Sequence, residues 1–90
     1  MLHISIKIGQ TLKIDGAQYQ LKEVDHLNGG ANLKITQPDK TEEDQWVYIG
    51  GDSIAIDDSS ELAMHSIAPD FQTYAKLTLI SDRIHDVTFP

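Results

Sequence analysis

From residue 2 to residue 35 the chain alternates apolar and polar residues with a period of two, in runs separated by glycine-containing turns. Leu2, Ile4, Ile6 and Ile8 share one parity against His3, Ser5 and Lys7. Leu12 and Ile14 follow, then Ala17, Tyr19 and Leu21, then Ala31, Leu33 and Ile35. Successive side chains of a strand point to opposite faces, so each run buries one face and wets the other. The breaks are Gly9-Gln10, Asp15-Gly16 and Asn28-Gly29-Gly30. Asp-Gly is the strongest short hairpin signal among them, because glycine takes a positive φ without steric cost. The pattern predicts antiparallel strands joined by tight turns.

One irregularity is informative. After Leu21 the next inward slot falls on Glu23, and Val24 takes the opposite parity, which predicts a β-bulge near Lys22–Glu23. Gln37-Pro38 ends the fourth run, and "DKTEED" (39–44) reads as an exposed acidic loop. "QWVYIGG" (45–51) is apolar on both parities, as expected of a central strand covered twice. "SIAID" (53–57) is then placed to pair with it across Gly50-Gly51-Asp52. "FQTYAKLTLI" (71–80) and "IHDVTF" (84–89) complete the strands.

The stretch 57–70 is ambiguous. Asp58 followed by Glu61 has capping-box spacing, Leu62, Ala63 and Met64 are good helix formers, and Pro69 is a stop. Leu62, Met64, Ser66 and Ala68 also alternate. A short helix near 59–67 is favoured over a strand. The expected fold is a single small all-β domain over 1–90, an antiparallel barrel or roll of six to seven strands with that one helix.

The segment "IKIGQTLKIDGAQYQLKEVDHLNGG" resembles the first, SH3-like (KOW-type) barrel of the elongation factor P family: a glycine, a strand, an Asp-Gly hairpin, an aromatic-led strand, a histidine and a glycine-rich loop. The resemblance covers about a third of the chain and implies a small barrel. The family presents a basic residue at the tip of the glycine-rich loop. Here that loop reads "LNGGAN", with no lysine between His26 and Lys34, so the activity is not implied. "IGQTLKI" is also similar to the first strands of the small RNA-binding carbon-storage regulators. Their arginine-bearing positions are unmatched, since Arg83 is the chain's only arginine.

Charge narrows the function classes. The net charge is −7, and residues 39–61 hold eight acidic residues against Lys40. Such a chain repels phosphate backbones and anionic surfaces, so direct nucleic-acid and membrane binding are not expected. Without cysteine there is no disulfide, thiol nucleophile or thiolate metal site. The opening "MLHISIKIG" lacks the features of a signal peptide, and a cytoplasmic location is expected.

No catalytic, metal or cofactor motif emerges. His3, His26, His65 and His85 lack ligand spacing, and His3 and His85 are expected to face solvent. Six serines and ten aspartates allow so many Ser-His-Asp combinations that spacing selects none. His85 and Asp86, as strand neighbours, point apart. The sharpest feature is Trp46 and Tyr48 on one parity, amid Glu42, Glu43, Asp44 and Asp52. Aromatic anchors rimmed by acids suit a basic protein surface. The sequence thus predicts a non-enzymatic interaction or regulatory module, with nucleic-acid charge mimicry as a special case. Its rivals are a ligand-binding or enzymatic site in a barrel mouth, and a self-associating structural subunit. A homodimer through an edge strand at either chain end is expected.

Overall fold

The structure, a computed structural model, describes residues 2–67 and 74–89. Among these residues nine strands run in order: β1 (Leu2–Lys7), β2 (Thr11–Ile14), β3 (Ala17–Asp25), β4 (Gly30–Thr36), β5 (Glu42–Tyr48), β6 (Ile54–Asp57), β7 (Ser60–Ile67), β8 (Tyr74–Ser81) and β9 (Val87–Thr88). They form two antiparallel sheets, β1-β8-β7-β6 and β5-β4-β3-β2-β9. The all-β antiparallel class is as expected. Among the described residues the strands number nine, where six to seven of a barrel or roll are expected, and they make two sheets without closing into a barrel.

The alternation becomes the core directly. Ile4 and Ile6 from β1, with Leu77 and Leu79 from β8 and Leu62 and Met64 from β7, face Leu12, Ile14, Tyr19, Leu21, Leu33, Ile35 and Val47 of the other sheet. Leu2 and Ile8 keep the parity of Ile4 and Ile6 but lie at the strand's ends, and both are about half exposed. At the β2–β3 turn Asp15 and Gly16 both have positive φ, 51° and 95°, as a type I′ hairpin requires. The β3–β4 register slips between Leu21 and Glu23, which is the bulge the parity change predicts.

Three expectations are corrected. Residues 60–67 form β7, not a helix. Leu62 and Met64 are 0% and 6% exposed and pair with Leu79 and Leu77. A helix sets residues two apart on different sides, so it could not bury both against one sheet. Asp58 sits in the β6–β7 turn instead of capping a helix, while Asp57 Oδ1 accepts the Ser59 N–H at 2.9 Å. Second, β5 begins at Glu42, inside the stretch 39–44 expected as a loop, and it is an edge strand of its sheet, not a doubly covered central one. Third, β6 pairs with β7 in the opposite sheet and not with β5. The expected helix stop at Pro69, and residues 71–73 of the expected strand 71–80, lie outside the described residues. Of the expected strand 84–89, only Val87–Thr88 pairs, with Ile14 and Lys13 of β2. The two terminal strands β1 and β9 are both sheet edges.

Candidate functional site

The outer face of β5 carries most of the residues singled out from the sequence. Glu42, Asp44, Trp46 and Tyr48 share one parity and are exposed, while Val47 on the other parity is buried in the core. Trp46 and Tyr48 are 37% and 39% exposed, and their rings stack with centroids 6.0 Å apart and planes 14° from parallel. Tyr48 pairs in register with Gly30, and its ring occupies the space that a Gly30 side chain would need. The bare backbone of Gly30 thus makes the floor on which Tyr48 lies flat. A tight turn follows, in which the Gly51 N–H donates to Tyr48 O at 3.0 Å and the Ile49 N–H donates to Gly29 O at 2.9 Å.

Charge on this face is mixed at one end. Lys34 Nζ lies 3.1 Å from Glu42 Oε2, and Lys22 and Lys34 border the same shallow groove as Glu42, Glu43 and Asp44. Glu43 has the parity of Val47, so it is exposed on the other side of the strand from the aromatic pair. Asp52 is exposed in the β5–β6 connection. The structure therefore groups Glu42, Asp44, Trp46 and Tyr48, and leaves Glu43 and Asp52 at the margin.

A second cluster was not selected by sequence spacing. His85, expected on the surface, has a side chain only 1% exposed. Its Nδ1 meets Asp15 Oδ2, and its Nε2 lies 2.9 Å from Ser81 Oγ and 2.8 Å from Ser60 Oγ. The two hydroxyls are 2.8 Å apart. Asp15 is held at its other oxygen as well, where Oδ1 accepts the Asp86 N–H at 2.8 Å. The backbone closes the same junction through Asp15 N–H to Asp86 O, 3.0 Å. These bonds, first that from Asp86 and then that from His85, hold the Asp15 carboxyl below the usual carboxylate range.

Arg83 adds a second tie. Its guanidinium bonds Asp57 Oδ2, with Nε at 3.1 Å, and reaches Asp15 Oδ2 at 3.3 Å through Nη2. Asp57 is thereby held well below the ordinary carboxylate value, with the Ser59 N–H as the next contributor. Three sequence-distant regions converge here: the β2–β3 turn, the β6–β7 turn, and the stretch that runs from the end of β8 into β9. His85 as a strand residue was expected to face out. It instead lies in the irregular 82–86 segment, where strand parity does not govern direction. The one local signal was the Ser81-Asp82-Arg83 turn, which reverses the chain before His85.

Among the described residues no helix is long and apolar enough to cross a membrane. No protein-family model matches the chain, and comparison with curated proteins and with solved structures gives no match.

Proposed function

We propose that this domain is a protein-interaction module that docks a basic protein surface on the outer face of β5. The observation that carries the reading is the Trp46–Tyr48 stack, more than a third exposed on an edge strand and bordered by Glu42 and Asp44. Large rigid aromatics left in water cost hydration free energy and supply short-range affinity once covered. Glu42 is already engaged by Lys34, so the long-range attraction falls chiefly to Asp44, with Glu43 and Asp52 adding to the field from the rim.

The test uses peptides rich in Lys and Arg around one aliphatic anchor, measured kinetically on the immobilised domain. Charge reversal at Glu42, Glu43 and Asp44 together is expected to slow association about tenfold or more and to flatten its salt dependence, leaving dissociation nearly unchanged. Trp46→Ala is expected to raise the dissociation rate about tenfold, roughly 1.4 kcal/mol, with association little altered. Binding that is absent, or indifferent to both changes in folded variants, overturns the reading.

A further inference from the structure

The buried His85 has more partners than a structural histidine needs. Asp15 Oδ2 faces His85 Nδ1, and in the neutral tautomer that donates from Nδ1 to the carboxylate the Nε2 lone pair accepts. Two hydroxyls approach that single lone pair, Ser60 and Ser81. They differ in access. Ser60 is 4% exposed at the margin of a polar groove of about 450 Å³, whereas Ser81 is partly exposed and borders a cleft of about 200 Å³ whose apolar wall is Leu2, Leu79, Ile84 and Val87. The Ser81 hydroxyl also reaches the Arg83 carbonyl oxygen at 3.1 Å, so its one proton is shared between that acceptor and His85 Nε2. The constellation has a nucleophile, a base and an orienting carboxylate, each within hydrogen-bond reach of the next, and an apolar space beside the nucleophile.

We propose that Ser81 is the nucleophile of an acyl-transfer site, with His85 as its base and Asp15 as a positioning residue, acting on activated esters of short apolar acids. This site is separate from the β5 face, and neither reading depends on the other. Ser81 Oγ attacks the ester carbonyl carbon as its proton passes to His85 Nε2. The tetrahedral intermediate collapses, the bond to the leaving alcohol breaks, and His85 returns the proton to that alcohol. Water then attacks the acyl-Ser81 ester, giving a proton to His85, which returns it to Ser81 Oγ as the carboxylic acid departs. Ser60, 2.8 Å from Ser81 Oγ, turns its hydroxyl toward the alkoxide as it forms. Among the described hydrogen bonds one backbone donor reaches Ser81 Oγ, the Arg83 N–H at 3.1 Å. That donor holds the nucleophile's own oxygen and not the substrate's oxyanion, so the site suits a good leaving group and not an amide.

The experiment treats the intact domain with diisopropyl fluorophosphate and maps the adduct by peptide mass spectrometry. The expected result is one diisopropylphosphoryl group on Ser81, formed as the P–O bond replaces P–F and fluoride leaves with the seryl proton. Hydrolysis of p-nitrophenyl acetate should show a burst equal to one acyl group per chain, absent after that labelling. Ser81→Ala should abolish both. His85→Gln should slow labelling at least tenfold, and Asp15→Asn should alter the pH profile of the labelling rate and not only its height, which a purely structural carboxylate would not do. Mapping on the wild-type chain decides the matter even where a variant fails to fold. No adduct, or an adduct on another residue, overturns the proposal.

Discussion

Asp15 and His85 stand 70 residues apart in the chain and share a hydrogen bond between Oδ2 and Nδ1. Asp15 is also the first central residue of the β2–β3 hairpin, at φ 51°. The turn that joins two strands therefore presents the carboxylate that fastens the C-terminal segment. Arg83 extends the tie from Asp15 to Asp57 at the end of β6, so both sheets are joined at this end.

Acid should loosen this end first. Asp15 and Asp57 both have folded-state values depressed below the ordinary 3.8. A depressed carboxylate adds stability above its unfolded value, and that stability is lost as pH falls through the unfolded value toward the folded one. The thermal midpoint is expected to hold above about pH 5 and to drop steadily below about pH 4. Asp15→Asn should lower the neutral-pH midpoint and flatten the acid slope, as followed by circular dichroism at constant ionic strength.

The hairpin itself is testable at Gly16, whose φ of 95° is unfavourable for any side chain. Gly16→Val should cost about 1–2 kcal/mol or more, since a β-branched residue resists the left-handed region. A denaturant midpoint that falls with unchanged slope is the expected signature.

How much of this could be read beforehand follows from how local each determinant is. The hairpin at Asp15-Gly16, the bulge after Leu21 and the inward rows of β1 to β4 depend on neighbours in sequence, and parity revealed them. The position of β5 at an edge does not, because an apolar residue on both parities marks equally a twice-covered strand and an exposed aromatic pair. Residues 60–67 had helix-forming composition and strand-like alternation together, and pairing with β8 decided between them. The Asp15–His85–Ser81 cluster was invisible for a different reason. Its carboxylate comes from a hairpin 70 residues before His85, and His85 sits in an irregular segment where no period applies.

That tertiary decision over β7 can be checked. Leu62→Ala and Met64→Ala should each cost about 2–5 kcal/mol, because both side chains leave a cavity between the sheets. Ala63 points away from that core and is partly exposed, so Ala63→Ser should cost under about 1 kcal/mol. A helical periodicity of the losses would contradict β7.

Self-association is expected through β1. It is an edge of its sheet, rich in isoleucine, with exposed Leu2 at its start. An unpaired antiparallel edge can meet its own copy across a two-fold axis. Sedimentation should show a dimer at high micromolar concentration, and Ser5→Lys should shift it toward monomer by placing like charges across the seam. Monomer alone throughout that range would remove the expectation.

The last prediction separates the β5 face from the fold that carries it. A Cβ added at Gly30 would lie 2.5 Å from Tyr48 Cε1 and 2.6 Å from Cδ1, closer than real contacts allow. Something must move, and the half-exposed Tyr48 ring is freer to move than the paired β4 backbone. Gly30 does not need a positive φ, so alanine fits the local backbone, and its lower unfolded-state entropy offsets part of the steric cost. Gly30→Ala should therefore change stability by about 1 kcal/mol or less while lifting Tyr48 off its stack with Trp46. Trp46 is the only tryptophan, so its emission and the near-ultraviolet dichroism report the stack directly. Peptide dissociation should quicken in Gly30→Ala as it does in Trp46→Ala, with the unfolding midpoint almost unmoved. A large loss of stability with an unchanged tryptophan signal would mean that Tyr48 is fixed in place and that the β4–β5 pairing gave way instead.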